Sequence, residues 1–265
     1  MRERLWLFLR NSKLLRKLYA KRAFAEPMRA ASYYLLPARG QKRLRVKNGP
    51  ARGLIFELNP RWEHTAWEGV YEQSMQQLFV KFLKPGTIVF DVGANYGFYA
   101  LLGARAGAEV FAFEPHKENA ESLARHAETN GLARHVHIVS SAAYSYTGDI
   151  ALELPAVEGS HGNAATRPQA SKTVNTVDVP CTTLDDFIQA NPEPGLVKMD
   201  VEGAESEVLK GADRLFRTSR PYLLCEIHDE QNASFAEIWL RERNYTCTWL
   251  DQESSFPRHL FASPH

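Results

Sequence analysis

The sequence predicts an α/β fold: an open, doubly wound, mostly parallel sheet with helices on both faces, preceded by a basic N-terminal helix and a β-hairpin. Three observations carry this. From about residue 71, stretches with an apolar residue every three or four positions alternate with short continuous apolar runs, and such alternation means parallel strands joined by crossover helices. Turn-forming or acidic residues stop several of the short runs, as expected of buried strands. The chain has 265 residues, of which 44% are hydrophobic and 24% charged. That is enough to bury such a sheet without disulfides, and no apolar run approaches the length of a membrane span.

Residues 3–24 read as an amphipathic helix. Leu7, Phe8, Leu14, Leu15, Leu18 and Tyr19 fall on one half of its circumference and Arg2, Arg10, Lys13, Arg16, Lys17 and Lys21 on the other, with Trp6 and Leu9 spoiling the division. A Pro- and Gly-bearing stretch, 27–40, leads into alternating runs at 43–47 and 54–58 around Asn48-Gly49-Pro50, a β-hairpin over 42–58. Residues 71–83 form a helix with Met75, Leu78, Phe79 and Phe82 on one stripe, ended by Lys84-Pro85-Gly86. The run Thr87-Ile88-Val89-Phe90, stopped by Asp91-Val92-Gly93, is a buried strand. A helix at 99–105, a strand at 110–113, a helix at 117–130 and a strand at 136–139 continue the series. Further strands fall at 196–199 and 222–225, and further helices at 204–216 and 234–243. Between them, residues 155–180 are rich in Gly, Pro, Asn, Ser and Thr. This stretch exceeds the usual connection and reads as a loop suited to cover an acceptor, where His161 and Asn163 meet either a hydroxyl or solvent.

Charge divides the chain. Residues 1–47 hold 14 Lys and Arg against Glu3 and Glu26, a net of +12, so with +1 overall the remainder carries −11. The basic leader admits three readings: an interfacial helix on anionic membrane, self-association or packing through the helix, and a nucleic-acid arm. Packing or assembly ranks first, and nucleic acid ranks last because no recognition motif accompanies the charge. The apolar stretch at 5–9 is too short for a signal peptide. Three cysteines, Cys181, Cys225 and Cys247, without CxxC spacing suit a reducing compartment, so the expected location is cytoplasmic, with the inner face of the membrane open to the leader.

In a doubly wound sheet the ligand sits at the carboxyl ends of the strands. The first such end is Asp91-Val92-Gly93-Ala94-Asn95-Tyr96-Gly97, and the second strand ends in Glu114. The glycines permit a sharp turn and close ligand approach. The GxGxxG spacing of a dinucleotide site is absent, and an acid before the first glycine opposes a pyrophosphate. Glu114, 23 residues after Asp91, is placed to accept from a ribose. The pattern describes a nucleoside carrying a cationic group. At a later pair of strand ends stand Asp200, Glu202 and Glu205, then Glu226 and His228. Helix capping accounts for Glu205 alone, whereas converging titratable groups are what proton transfer requires.

These residues lie in the segments "LKPGTIVFDVGANYGFYA", "VFAFEPHKENAESLARHAETNGL" and "GLVKMDVEGAESEVLKGA", which closely resemble the FkbM family of class I S-adenosylmethionine-dependent methyltransferases over about 54–228. The resemblance implies a Rossmann-like sheet, a methyltransferase domain at 41–265 behind an extension at 1–40, and S-adenosylmethionine as donor. It further implies O-methylation of a hydroxyl on a small-molecule or glycan acceptor: a sugar, glycolipid or polyketide-type product. On this pattern Asp91, Gly93, Asn95 and Gly97 line the methionine end of the donor, Glu114 meets the ribose, and Ser141 and Ala142 lie beside adenine. Glu72 either meets the donor amine or starts a helix. Asp200, Glu202, Glu226 and His228 form the catalytic group, which supplies a base for the hydroxyl or holds a divalent cation; the metal-free base is preferred because histidine suits hard cations poorly. The competing readings are a nicotinamide oxidoreductase and a non-catalytic membrane- or RNA-associated module on the same fold.

Overall fold

The computed structural model describes residues 40–154, 165–166, 175–251 and 255–265. The basic leader helix and its apolar stripe lie outside the described residues. Two compact units divide between Tyr71 and Glu72. In the first, β1 (Lys42–Arg45) and β2 (Ile55–Leu58) pair antiparallel, with Lys42 opposite Leu58 and Arg45 opposite Ile55, so the expected hairpin is present. Its buried face carries Phe56 and Leu58, and α1 (His64–Glu68) adds Trp67, whose indole N–H donates to Pro60 O at 3.0 Å.

In the second unit α2 (Gln73–Lys81) precedes β3 (Ile88–Val92), which leads through a glycine turn into α3 (Phe98–Arg105). Then come β4 (Glu109–Phe113), α4 (Lys117–Thr129) and β5 (Val136–Val139). The chain next builds a smaller sheet from β6 (Ala142–Ala143), β7 (Gly148–Glu153), β8 (Ala165–Thr166) and β9 (Thr176–Thr182), in the order β6-β9-β7-β8. It returns by α5 (Leu184–Phe187) to β10 (Leu196–Met199), α6 (Glu205–Lys210), α7 (Asp213–Thr218) and β11 (Tyr222–Ile227). It ends with α8 (Glu230–Arg241), β12 (Tyr245–Trp249) and β13 (Arg258–Pro264).

The main sheet has the order β12-β13-β11-β10-β3-β4-β5, and β13 alone among its strands runs against its neighbours. This is the expected doubly wound, mostly parallel sheet. From β3 the chain winds outward through β4 and β5, then crosses back to β10 on the other side, so the winding reverses between β3 and β10, where ligands bind in such sheets. The central strands are buried on both faces: Phe90, Val92, Val197, Met199, Leu223 and Cys225 pack on one, while Val89, Leu196 and Leu224 share the other with Asp91 and Lys198.

Three expectations need correction. The stretch 155–180 is not all loop: Thr176–Thr182 is a strand, and Ala165–Thr166 pairs with β7. Only Val179 and Cys181 of β9 are buried, so its polar outer face gives it the composition of a connection. The candidate contacts His161 and Asn163 lie outside the described residues. The single helix at 204–216 is two. Gly211 sits so close to Tyr144 that a Cβ there would lie 2.0 Å from its carbonyl oxygen, and the Asp185 carboxylate caps the next helix by accepting the Arg214 and Leu215 N–H groups at 2.8 Å. The last two strands were not anticipated at all, although β13 alternates burial about Leu260 and Ala262.

Candidate active site

Gly93 brings the two sides of the reversal together. It has φ +76°, and a Cβ on it would lie 1.7 Å from the Asp200 carbonyl oxygen. Only glycine lets the turn after β3 rest against the end of β10. Asn95 follows at φ +50°, and Gly97, at φ +91°, packs on Leu123 of α4. Glu114 ties this turn to the end of β4: its Oε2 accepts the Asn95 N–H at 2.7 Å and its Oε1 the His116 N–H at 2.8 Å. Burial pushes the Glu114 carboxyl up to about 7 against those hydrogen bonds.

A cleft opens here, at the strand ends where ligands bind in doubly wound sheets. Of the residues singled out in the sequence, Gly93, Asn95, Glu114, Ala142, Asp200 and Glu202 line it, joined by Phe113, Pro115, Asn119, Ala143 and Val201. Its charged lining residues are Glu114, Asp200 and Glu202, all acidic. Six others do not line it: Glu226 and His228, described below, and four placed elsewhere. Asp91 is fully buried against β10 and Gly97 supports the turn from behind. The Ser141 hydroxyl donates to Pro180 O at 3.0 Å. Glu72, at φ +37°, accepts the Tyr99 hydroxyl at 2.8 Å.

The acids crowd around two cations. Lys198, buried in β10, places Nζ 3.6 Å from Asp91 Oδ1 and 3.5 Å from Asp200 Oδ2, and 5.1 Å from the Tyr99 ring centre. Burial pulls its ammonium down, but the carboxylates of Asp200 and Asp91 outweigh burial and hold it above the usual lysine range. Burial likewise pushes Asp91 up, with Lys198 opposing. His228 is the second cation. Its Nδ1 lies 2.6 Å from Glu205 Oε1, and its Nε2 3.3 Å from Glu202 and 3.7 Å from Asp200. Burial disfavours the imidazolium, yet the hydrogen bond and charge of Glu205, with Glu202 and Asp200, raise it to about 9. Glu202 rises to about 7 through burial and the Asp200 charge. Glu226 rises to about 8 through burial and the charges of Asp200 and Glu72. Glu202 also sits at φ +52°, a left-handed conformation that costs a non-glycine residue about 1–2 kcal/mol.

Thus Asp200, Glu202, Glu226 and His228 do converge. Ligand atoms of Asp200, Glu226 and His228 lie within 4.8 Å of one another, as do those of Glu72, Glu226 and His259. Sequence reasoning missed Lys198, Tyr99, Asn119 and His259, and it assigned to helix capping Glu205, which here holds His228 Nδ1. A lysine inside the apolar run Leu-Val-Lys-Met was a legible signal, since a buried ammonium needs carboxylate partners.

An open sheet whose acid-lined cleft lies at its point of reversal is the architecture of a class I methyltransferase. The methyltransferase FkbM domain matches residues 91–247, more than half of the chain, and the protein belongs to that family. It is 30% identical over 188 residues to the hexuronic acid methyltransferase AglP of Haloferax volcanii, covering 69% of this chain and 72% of that one. To the 31-O-demethyl-FK506 methyltransferase FkbM of Streptomyces tacrolimicus it is 27% identical over 179 residues, covering 57% of this chain and 69% of that one. A crystal structure of a methyltransferase FkbM from Methylobacillus flagellatus is 18% identical, with a TM-score of 0.49 over 71% of this chain. This chain spans 50% of that structure's length.

Proposed function

We propose that the protein transfers a methyl group from S-adenosylmethionine to a hydroxyl of a small-molecule or glycan acceptor, of the sugar, glycolipid or polyketide type. The observation that carries this is the cleft itself. Its charged lining is entirely acidic, which suits a cationic sulfonium, and Asn95 presents a buried Oδ1 that makes no hydrogen bond. Glu114 and Asn119 at the end of β4 would take the ribose, the Gly93 turn the methionine part, and Ala142 and Ala143 the base. When bound, the donor supplies an electrophilic methyl on sulfur. Asp200, Glu202, Glu226 and His228 would hold the acceptor hydroxyl for in-line attack, at a place where its proton can leave to a base. The two relatives, a hexuronic acid methyltransferase and a 31-O-demethyl-FK506 methyltransferase, support a hydroxyl-bearing acceptor.

The test is direct. S-adenosylhomocysteine should bind in calorimetry, and labelled methyl should pass from the donor into a fraction of cell extract, with the product identified by mass. Failure to bind S-adenosylhomocysteine, or binding of NAD in its place, would refute the reading. A second reading rests on the two groups of three donors: a divalent cation that orients the hydroxyl, for which EDTA would abolish transfer.

A further inference from the structure

The strand that runs against the rest of the sheet sets a histidine beside the carboxylates at the end of β11. His259 lies on β13 opposite Glu226 of β11, twelve residues beyond the end of the family match at 247. Its Nδ1 faces Asp251, at 3.0 Å from Oδ2 and 3.2 Å from Oδ1, and its backbone N–H is donated to the same carboxylate. Its Nε2 is buried and makes no hydrogen bond. The Glu226 Oε2 atom stands 4.0 Å from it, and Glu72 completes a group whose ligand atoms lie within 4.8 Å of one another.

This is the layout of an oriented imidazole base. A carboxylate on Nδ1 fixes the tautomer that carries the proton there and leaves the Nε2 lone pair to accept another. The 4.0 Å separation from Glu226 is too wide for a hydrogen bond, so neither atom satisfies the other. The Nε2 of His228 is more crowded, with Glu202 at 3.3 Å and Asp200 at 3.7 Å.

We infer that His259, oriented by Asp251, is the general base that takes the proton of the methyl-accepting hydroxyl. The inference rests on the methyl-transfer reading. In the step, the hydroxyl oxygen forms a bond to the methyl carbon as the carbon–sulfur bond breaks, its electron pair returning to sulfur. The hydroxyl proton passes to His259 Nε2 and is later lost to water. Glu226 holds the hydroxyl from the other side, and Asp251 stabilises the imidazolium that forms. The groups facing the imidazole are Asp251 after β12, Glu226 on β11 and Glu72 before α2.

The experiment uses the full chain and has two arms. Nitrogen-15 NMR of labelled histidine reads the resting tautomer of His259 without any acceptor; Nδ1–H with a free Nε2 is expected, and an Nε2–H tautomer would overturn the assignment. In the second arm, His259→Gln and Asp251→Asn are assayed with labelled S-adenosylmethionine on the extract fraction that the wild type methylates. His259→Gln should lower kcat by about 100-fold or more, as loss of a general base does, while S-adenosylhomocysteine affinity stays within about 2-fold; Asp251→Asn should lower kcat in the same direction. Imidazole in the buffer should restore part of the rate to His259→Gly. A His259→Gln enzyme that keeps more than half its rate, or one that loses donor affinity in step with kcat, contradicts the proposal. So does transfer abolished by EDTA and restored by Mg²⁺ or Mn²⁺, which would make the imidazole a ligand. Should the wild type neither bind S-adenosylhomocysteine nor transfer methyl, the methyl-transfer reading falls, while the tautomer arm still decides the geometry of the dyad.

Discussion

Replacing Lys198 with methionine keeps the length of the side chain and removes the ammonium shared by Asp91 and Asp200. Removing one partner from a buried ion pair costs about 3–5 kcal/mol, because the remaining charge is left in a poor solvent. In a unit of this size each kcal/mol moves the midpoint by about 2–4 °C, so Lys198→Met should melt roughly 6–20 °C lower at pH 7.5. The pH dependence identifies the cause. Burial already raises Asp91 and Lys198 opposes that rise, so the variant's Asp91 climbs further above its unfolded value. Between the unfolded and the folded pKa the folded variant then binds more protons than the unfolded chain, and it gains stability as pH falls. The deficit against wild type should therefore narrow on acidification from pH 8 to 5, by up to about 1.4 kcal/mol per pH unit. Melting both proteins across that range by calorimetry is sufficient. A deficit that is constant with pH, or a midpoint within about 3 °C of wild type at pH 7.5, would refute the reasoning.

Two further substitutions probe the cleft. Gly93→Ala meets the Asp200 carbonyl at 1.7 Å and should abolish S-adenosylhomocysteine binding. Gly131→Ala, at φ +70° with open space around it, should cost only the about 1–2 kcal/mol of a left-handed residue, and equal effects of the two in calorimetry would count against the overlap argument. Glu114→Gln turns one acceptor of the Asn95 and His116 N–H groups into a donor. A loss of about 1.5–3 kcal/mol in donor affinity is expected, the worth of hydrogen bonds to a charged group, and unchanged affinity in the same titration would remove Glu114 from the donor site.

What was legible in the sequence was whatever depends on local pattern. The runs that became β3 and β10 are buried along almost their whole length, so their burial shows without partners, and the glycine turn and Glu114 follow at fixed offsets along one crossover. The convergence of Asp200, Glu202, Glu226 and His228 was legible for the same reason: each stands at the end of a strand in a sheet whose order the alternation implies. Other features depend on packing between distant segments. The break between α6 and α7 comes from Tyr144 pressing on Gly211, and β9 hides because Val179 and Cys181 are its only buried residues. Lys198 drew no reading because its partners lie in two different segments. His259 was invisible for a topological reason, since nothing local says that the final strand inserts beside β11 and sets it against Glu226.

That insertion orders the protein's assembly. β13 pairs with β11 on one side and β12 on the other, so during synthesis β12 leaves the ribosome before the strand that will hold it. Until residues 258–264 emerge, β11 carries an unpaired edge, which is the kind of surface that recruits foreign strands. The same late event that covers this edge carries His259 to Glu226, so a nascent chain completes its sheet and sets that pair in one step.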